Sequence, residues 1–394
     1  MNILFISSQF PNSVEPNKGT FTKHIASALA KKHSLHVISP IATVGWGYLN
    51  RFKKYPLALP SQKLEALGTI PVHYPQYFAI PFFSSLHHLS LYRSLAKVIN
   101  QINQSWHIDA INCHWLYPDG VAAQKICENL KIPVMLTALG SDLNRYLKFK
   151  LRQSIILRAM RNADAVSVLN HEMFDLCVSS GINHEHVSVI PNGVDLNKFV
   201  IRDQGACRSK LSIPPDHRIV LFVGSLYPVK NVATLISAFH MLSRETGSGA
   251  EVLLYIAGNG YLKDELKSLA ASLSLTDKVV FLGQVPHEEL PFLMSAADCL
   301  CLPSFSEGHP NVMMESLACG TPVVGSKVGS MPDFLDPEVG VLVSPHSVDE
   351  LAMALRKCLG KQYDRASIRR RVADFTWERC ADSYCSCLET IVRV

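Results

Sequence analysis

The sequence predicts an α/β chain built from two doubly wound parallel sheets, and three observations carry that expectation. Its 394 residues suffice for two domains of ordinary size. Short apolar runs alternate with helix-length segments in two separate series. Between the series lies PNGVDLNKF, residues 191–199, where Pro191 and Gly193 interrupt regular structure.

In the first series, strand-like runs fall at 2–8, 35–39, 109–113, 133–137, 165–169 and 187–190. The opening MNILFISSQF lacks the basic residues of a secretory leader and runs from apolar residues into a polar loop, so it reads as the first strand. Residues 41–84, rich in Pro, Tyr and Phe, fit neither period and are expected to form an elaborated loop. The second series places strands at 219–223, 252–257, 279–282, 299–303, 322–325 and 339–343. Repeated βα alternation of this kind forms parallel sheets with helices on both faces. Ligands of such sheets bind outside the carboxyl ends of the strands, so the two domains are expected to share a cleft.

Composition narrows the functional classes. A hydrophobic fraction of 48% with 18% charged residues excludes a largely disordered or collagenous chain. The eleven cysteines are odd in number and contain no C-x-x-C pair. They are therefore expected to be buried apolar residues of a protein kept in a reducing cytoplasm, rather than disulfides or zinc ligands. No run approaches the ~18 apolar residues of a membrane span, which predicts a soluble or peripheral protein.

Charge is unevenly divided. Residues 1–195 hold 18 Lys and Arg against 11 Asp and Glu, a net +7, and the remainder is −2. Much of the excess lies in residues 144–161, where Arg145, Lys148, Lys150, Arg152, Arg158 and Arg161 stand among Leu, Ile and Phe. The segment reads either as a face for an anionic membrane surface or acidic acceptor, or as a solvated helix face. No nucleic-acid partner is expected.

The densest chemical signal is EGHPNVMMESLACGTPVV, residues 307–324. It follows a predicted strand; Pro310 suits the first turn of a helix and Gly320 its end. The amides from Gly308 through His309, Pro310 and Asn311 to Val312 would then open a helix N-terminus, a ready site for phosphate, although Pro310 itself has no N–H to give. Glu307 and Glu315 bracket that site by roughly a turn or more of helix. Carboxylates accept from sugar hydroxyls, so a polyol on either side of a diphosphate would suit them. Taken singly, Glu307 could instead cap the helix and Glu315 be solvated.

Together with RNADAVSVLN at 161–170, VSVIPNGVDLNKF at 187–199, LFVGSLYPVKN at 221–231 and LACGTPVVGSKVGSMPDFL at 317–335, this segment resembles the retaining glycosyltransferases of family 4. EGHPNVMME matches that family's E-x7-E element. The resemblance implies the GT-B architecture, two Rossmann-like domains facing across a cleft. It implies an acceptor-side domain over 1–192, completed by a last helix near 376–394, and a nucleotide-sugar domain over 193–375, with hinges near 192 and 375.

The resemblance also implies roles. Glu315 would bind the donor ribose, Glu307 a hydroxyl of the transferred sugar, and the amides of 308–312 the sugar and diphosphate. Lys230 would neutralise the leaving diphosphate, and Gly19 would let backbone approach the donor phosphates. Ser225 stands where the family often has Arg; it is expected among the donor-binding residues, with less charge to offer the diphosphate. Leu139 stands where the family commonly has His, so that histidine contact does not carry over. His114, Asp119 and Asp142 are acceptor-side candidates, His114 also as a catalytic contact; a structural histidine and helix caps are the equal alternatives.

The activity implied is hexosyl transfer with retention, to a glycan or lipid-linked acceptor, in cell-surface polysaccharide synthesis at the inner face of the cytoplasmic membrane. Metal independence is expected because the chain has no Asp-x-Asp pair and no H-E-x-x-H, and no cofactor is expected beyond the nucleotide-sugar co-substrate. Donor choice is expected near Gly283–Pro286 and acceptor choice in 41–100. Two rivals stand beside this reading. An oxidoreductase would need a dinucleotide fingerprint, which Gly258 and Gly260 begin and Lys263 ends. An inactive sugar-nucleotide-binding relative would accommodate Ser225 and Leu139.

Overall fold

Strand β1 (Asn2–Ile6) buries Ile3, Leu4, Phe5 and Ile6 completely, as a strand covered on both faces requires. In the computed structural model, which describes all residues except Asn17, 44–64, 80–82, Arg145, 246–250 and Val394, this strand lies inside an eight-stranded sheet. The sheet belongs to a first unit made of Met1–Asn192 and the segment from Trp377 onward; Gly193–Thr376 form a second.

The first unit contains β1, β2 (Ser34–Ile38), β3 (Ile41–Thr43), β4 (Glu65–Leu67), β5 (Ile70–His73), β6 (Gln76–Phe78), β7 (Ala110–His114), β8 (Val134–Thr137), β9 (Ala165–Val168) and β10 (Val187–Val189). Its helices are α1 (Thr20–Leu29), α2 (His87–Ser105), α3 (Val121–Leu130), α4 (Ser141–Asn144), α5 (Lys150–Arg161) and α6 (His171–Ser179). The sheet order is β10-β9-β8-β7-β1-β2-β5-β4, parallel except where β4 meets β5. Ile3 aligns with Leu35 on one side and Ala110 on the other. The strand order therefore reverses between β1 and β7, which opens a crevice at their carboxyl ends.

In the second unit, β11 (Arg218–Val223), β12 (Val252–Ala257), β13 (Val279–Gly283), β14 (Cys299–Leu302), β15 (Val323–Ser326) and β16 (Gly340–Val343) form a parallel sheet ordered β13-β12-β11-β14-β15-β16. Helices α7 (Gln204–Lys210), α8 (Val232–Glu245), α9 (Lys263–Ser272), α10 (Leu290–Ala296), α11 (Asn311–Ala318), α12 (Met331–Phe334), α13 (Val348–Gly360) and α14 (Arg365–Arg370) cover it. The reversal here falls between β11 and β14. Both units carry one apolar core on each face of the sheet.

The last helix, α15 (Trp377–Arg393), packs in the first unit. It buries Trp377, Cys380, Ala381, Tyr384, Cys385 and Leu388, the three-and-four spacing of an apolar helical stripe. These residues complete the core around Phe5, Ile25 and Leu29, while Glu378 and Asp382 pair with Lys31 and Lys32.

All twelve strands expected from the apolar runs are present within two residues of the expected ends. The reading of 41–84 as loop is corrected: β3 to β6 lie there, β3 pairing with β6 in parallel. These strands have only three or four residues and are interrupted by Pro71 and Pro75, too short for a period to register. Within the stretch expected to choose the acceptor, 44–64 and 80–82 lie outside the described residues, as does Arg145 of the basic run. None of the cysteines, all among the described residues, forms a disulfide, and all but Cys387 are buried. No helix among the described residues is long and apolar enough to cross a membrane.

Candidate active site

Two loops meet at the β11/β14 reversal. After β11 the chain forms a single tight turn over Pro228–Lys230, and Asn231 follows at φ 54°. The buried Asn231 amide donates to Pro303 O and Pro345 O, both at 3.0 Å, and Phe305 N donates to Val229 O at 2.8 Å. These bonds lock the β11 loop to the loops after β14 and β16. As a result Lys230 Nζ lies 2.6 Å from Glu307 Oε1, which also accepts from Ser304 Oγ at 2.7 Å. The Glu307 side chain is 9% exposed and that of Lys230 24%, so the pair is shielded without being sealed from a ligand.

Helix α11 starts one residue later than expected: Pro310 is the N-cap, with no side-chain cap, so Glu307 is not the capping group. Gly320, at φ +72°, ends it. A left-handed Gly329 supports the loop from the next strand; a Cβ there would lie 2.6 Å from Glu307 O. His309 turns its ring inward against Phe334, 5.4 Å between centroids, so its amide is what it offers a ligand. Ser225, after β11, gives its carbonyl to Tyr227 N at 3.0 Å.

Glu315 lies on the first turns of α11 and accepts from His287 Nε2 at 3.0 Å; His287 Nδ1 is 2.7 Å from Lys198 Nζ. Neither His287 nor Lys198 stood out in the sequence. They come from loops after β13 and β10, and no local pattern links positions 89 residues apart. Gly258 and Gly260 have a structural use. A Cβ on Gly258 would sit 1.8 Å from Gly224 O, and on Gly260 2.4 Å from Leu226 O, so both let the β12 loop press on the β11 loop.

In the first unit the expected acceptor-side groups behave differently. His114 ends β7 fully buried, stacked on Phe5 at 4.5 Å and beside Tyr384 at 5.1 Å, and neither ring nitrogen has a partner among the described residues. Burial lowers its pKa to about 3. The ring is neutral and enclosed, as the structural alternative of the two readings would have it. Asp142, fully buried, accepts from Leu116 N at 2.8 Å, Leu139 N at 2.9 Å and Leu143 N at 3.1 Å. Oδ2 accepts the first of these bonds and Oδ1 the other two, so it pins two loops from within the core. Burial raises its pKa to about 6 against those bonds.

Asp119 takes Ser8 N at 2.5 Å through Oδ2 and so ties the β1 loop to the β7 loop. It too is fully buried, and burial raises its pKa to about 7. Its Oδ1 meets no hydrogen-bond partner among the described residues, so only Oδ2 serves the scaffold. Gly19 caps α1 at φ +54°, where a Cβ would lie 2.1 Å from Gln9 O; this explains the glycine by packing alone. Above these groups opens a cavity of about 640 Å³, walled by Trp115, Tyr117, Tyr146 and Phe149 with Arg152 and Lys18.

The chain matches the family description Glycosyltransferase Family 4 over residues 19–198 and Glycosyl transferases group 1 over 203–374. This protein is a family 4 glycosyltransferase. Bacillus subtilis (strain 168) TuaC, a glycosyltransferase assigned to teichuronic acid biosynthesis, is 29% identical over 96% of this chain and 93% of its own. A D-inositol 3-phosphate glycosyltransferase of Mycobacteroides abscessus is 33% identical, over 57% of this chain and 51% of its own. The fold is that of solved structures at lower identity. Sucrose-phosphate synthase from Thermosynechococcus elongatus superposes with a TM-score of 0.78 at 22% identity, covering 100% of this chain and 99% of its own. Anabaena Alr3699/HepE in complex with UDP gives 0.75 at 21%, covering 99% and 100%.

The second unit gathers a shielded cation, two carboxylates and helix-opening amides around one strand reversal. Among the described residues, no cluster of three or more His, Cys, Asp or Glu side chains is placed to hold a metal ion.

Proposed function

We propose that the protein transfers a sugar from a nucleotide-diphosphate donor to a glycan or lipid-linked acceptor with retention of anomeric configuration, in the synthesis of a cell-surface polysaccharide. The observation that carries the reading is the Lys230–Glu307 pair at 2.6 Å beside the opening of α11. An arriving diphosphate offers Lys230 more negative charge than one carboxylate does. Lys230 then turns to the leaving group, and Glu307, released from the pair, accepts from a sugar hydroxyl. Glu315 holds the ribose and the first amides of α11 the phosphates. The departing diphosphate takes the acceptor proton on the face it leaves, so retention needs no protein nucleophile, and Lys230 with the amides replaces a metal.

The TuaC likeness supports a role in polysaccharide synthesis, and the UDP bound by Alr3699/HepE supports a nucleotide-sugar donor. Exposed Phe149 and Leu151 beside Lys148 and Lys150 support docking at the anionic inner face of the cytoplasmic membrane. High salt should release the protein from anionic vesicles.

Thermal stability against UDP-, GDP- and ADP-sugars, with NAD and NADP beside them, tests the reading. A ligand at 100 times its Kd adds about 2.7 kcal/mol. One sugar nucleotide should raise the melting temperature of the wild type and not of Glu315→Ala; shifts with NAD or NADP alone overturn the proposal. NMR of the product anomer then tests retention, and full activity in a chelator tests metal independence.

A further inference from the structure

We infer that Lys198 and His287 are positioning residues of the donor site: Lys198 keeps the proton of His287 on Nε2, and His287 in turn orients the Glu315 carboxylate for the donor ribose. The inference rests on the reading of Glu315 as the ribose acceptor and adds two residues that set how that acceptor is presented.

The three groups stand in a row. Lys198 comes from the loop after β10, His287 from the loop after β13, and Glu315 from α11. Lys198 Nζ lies 2.7 Å from His287 Nδ1, and His287 Nε2 lies 3.0 Å from Glu315 Oε1. An ammonium has only donors, so Nδ1 must accept; an ionised carboxylate has only acceptors, so Nε2 must donate. One form of the ring satisfies both contacts, the neutral tautomer with its proton on Nε2.

The Lys198 end of the row is held by its surroundings. Lys198 N donates to Asp195 Oδ1 at 3.0 Å, and Arg369 donates to Leu196 O at 2.7 Å and to Phe199 O at 2.5 Å. The buried Phe199 ring meets the His287 ring edge-on, 5.4 Å between centroids.

The consequence concerns charge. A neutral His287 orients Glu315 through Oε1 without cancelling its charge, and leaves Oε2 for a ribose hydroxyl. An imidazolium would instead form a charge-assisted pair with Glu315, about twice as strong as a neutral bond, and a hydroxyl would compete poorly for that carboxylate. Glu315 and the exposed Glu288, which lies 3.7 Å from Lys198 Nζ, both draw a second proton toward the ring. Lys198, by filling Nδ1, is the group that excludes it.

¹⁵N NMR of the full chain tests the ring directly. At neutral pH His287 should carry a proton on Nε2 and none on Nδ1, and Lys198→Met should place one on Nδ1. Affinities for UDP, GDP and ADP, each beside its 2′,3′-dideoxy counterpart, test the consequence. The nucleotide that binds should lose about fivefold of its preference for ribose in Lys198→Met and in His287→Ala. The double variant should lose no more than either, because the two act in series, and Lys198→Arg should keep most of the preference. Affinity for the dideoxy form should hardly change, whereas a general disturbance of the fold would weaken both forms alike.

A proton on Nδ1 in the wild type, additive losses in the double variant, or equal losses for the ribose and dideoxy forms overturns the proposal. Glu315→Ala keeps the two readings apart. If it abolishes the ribose preference while the Lys198 and His287 variants retain it, only the positioning role falls. If Glu315→Ala leaves the preference intact, or no nucleoside diphosphate binds, the donor reading of the site falls and the ribose role of the row falls with it.

Discussion

The two strand reversals share one topology and use their charged residues in opposite ways. At β11/β14, Lys230, Glu307, His287 and Glu315 stay partly exposed and bond chiefly to one another. At β1/β7, Asp119 and Asp142 are fully buried and bond backbone amides, and His114 is stacked among aromatic rings. A parallel sheet thus supplies only a location. Whether a titratable residue there serves chemistry or scaffolding depends on what its atoms already bond.

Four measurements would break or sharpen that contrast. The largest effect is expected for Asp142→Ala, which leaves the buried amides of Leu116 and Leu139 without their acceptor. It should cost about 2–5 kcal/mol of unfolding free energy, measured in urea, with nucleotide-sugar binding intact in the folded fraction. A loss below about 1 kcal/mol would return Asp142 to the candidates for an acceptor contact.

Lys230→Ala should do the reverse, lowering kcat/KM by one to two decades, about 1.5–3 kcal/mol, with little change in stability. Unchanged kinetics would remove Lys230 from the site. Asp119 sets the third expectation. Its folded pKa, about 7, is above the ordinary 3.8, so its stabilising contribution is complete below about pH 4 and is lost as pH rises through 7. Unfolding midpoints of Asp119→Asn followed across that window should lack this decline; a wild-type slope retained in the variant would assign it elsewhere. The smallest effect is expected for His287→Ala, which removes one partner of Glu315 and should weaken donor binding by less than tenfold, about 1 kcal/mol. A loss as large as that of Lys230→Ala would make His287 a direct donor contact.

The unequal legibility of the two sites has the same origin. Lys230 and Glu307 follow strands whose apolar runs are unmistakable, and Pro310 and Gly320 punctuate the helix between them, so local signals place them in one crevice. His114 and Asp119 also follow a clear strand, yet the Phe5 and Tyr384 rings that enclose His114 come from opposite ends of the chain. Burial of that kind is long-range and leaves no spacing to read. Arg152 was visible only as one of several basic residues, because the rings around its guanidinium come from two separate segments, Tyr117 on one and Tyr146 with Phe149 on the other. The short strands of 65–78 were hidden for a different reason, since their prolines suppress the pattern that longer strands display.

Helix α15 gives the molecule an inverted order of completion. Trp377, Tyr384 and Leu388 wall the core beside β1, yet they leave the ribosome after the whole of the second unit. During synthesis the later-made unit can close first, while the earlier one waits with an apolar face uncovered for the length of about 180 residues. A premature stop near codon 376 would therefore injure the beginning of the protein rather than its end, and nascent chains halted there should be the ones that chaperones hold.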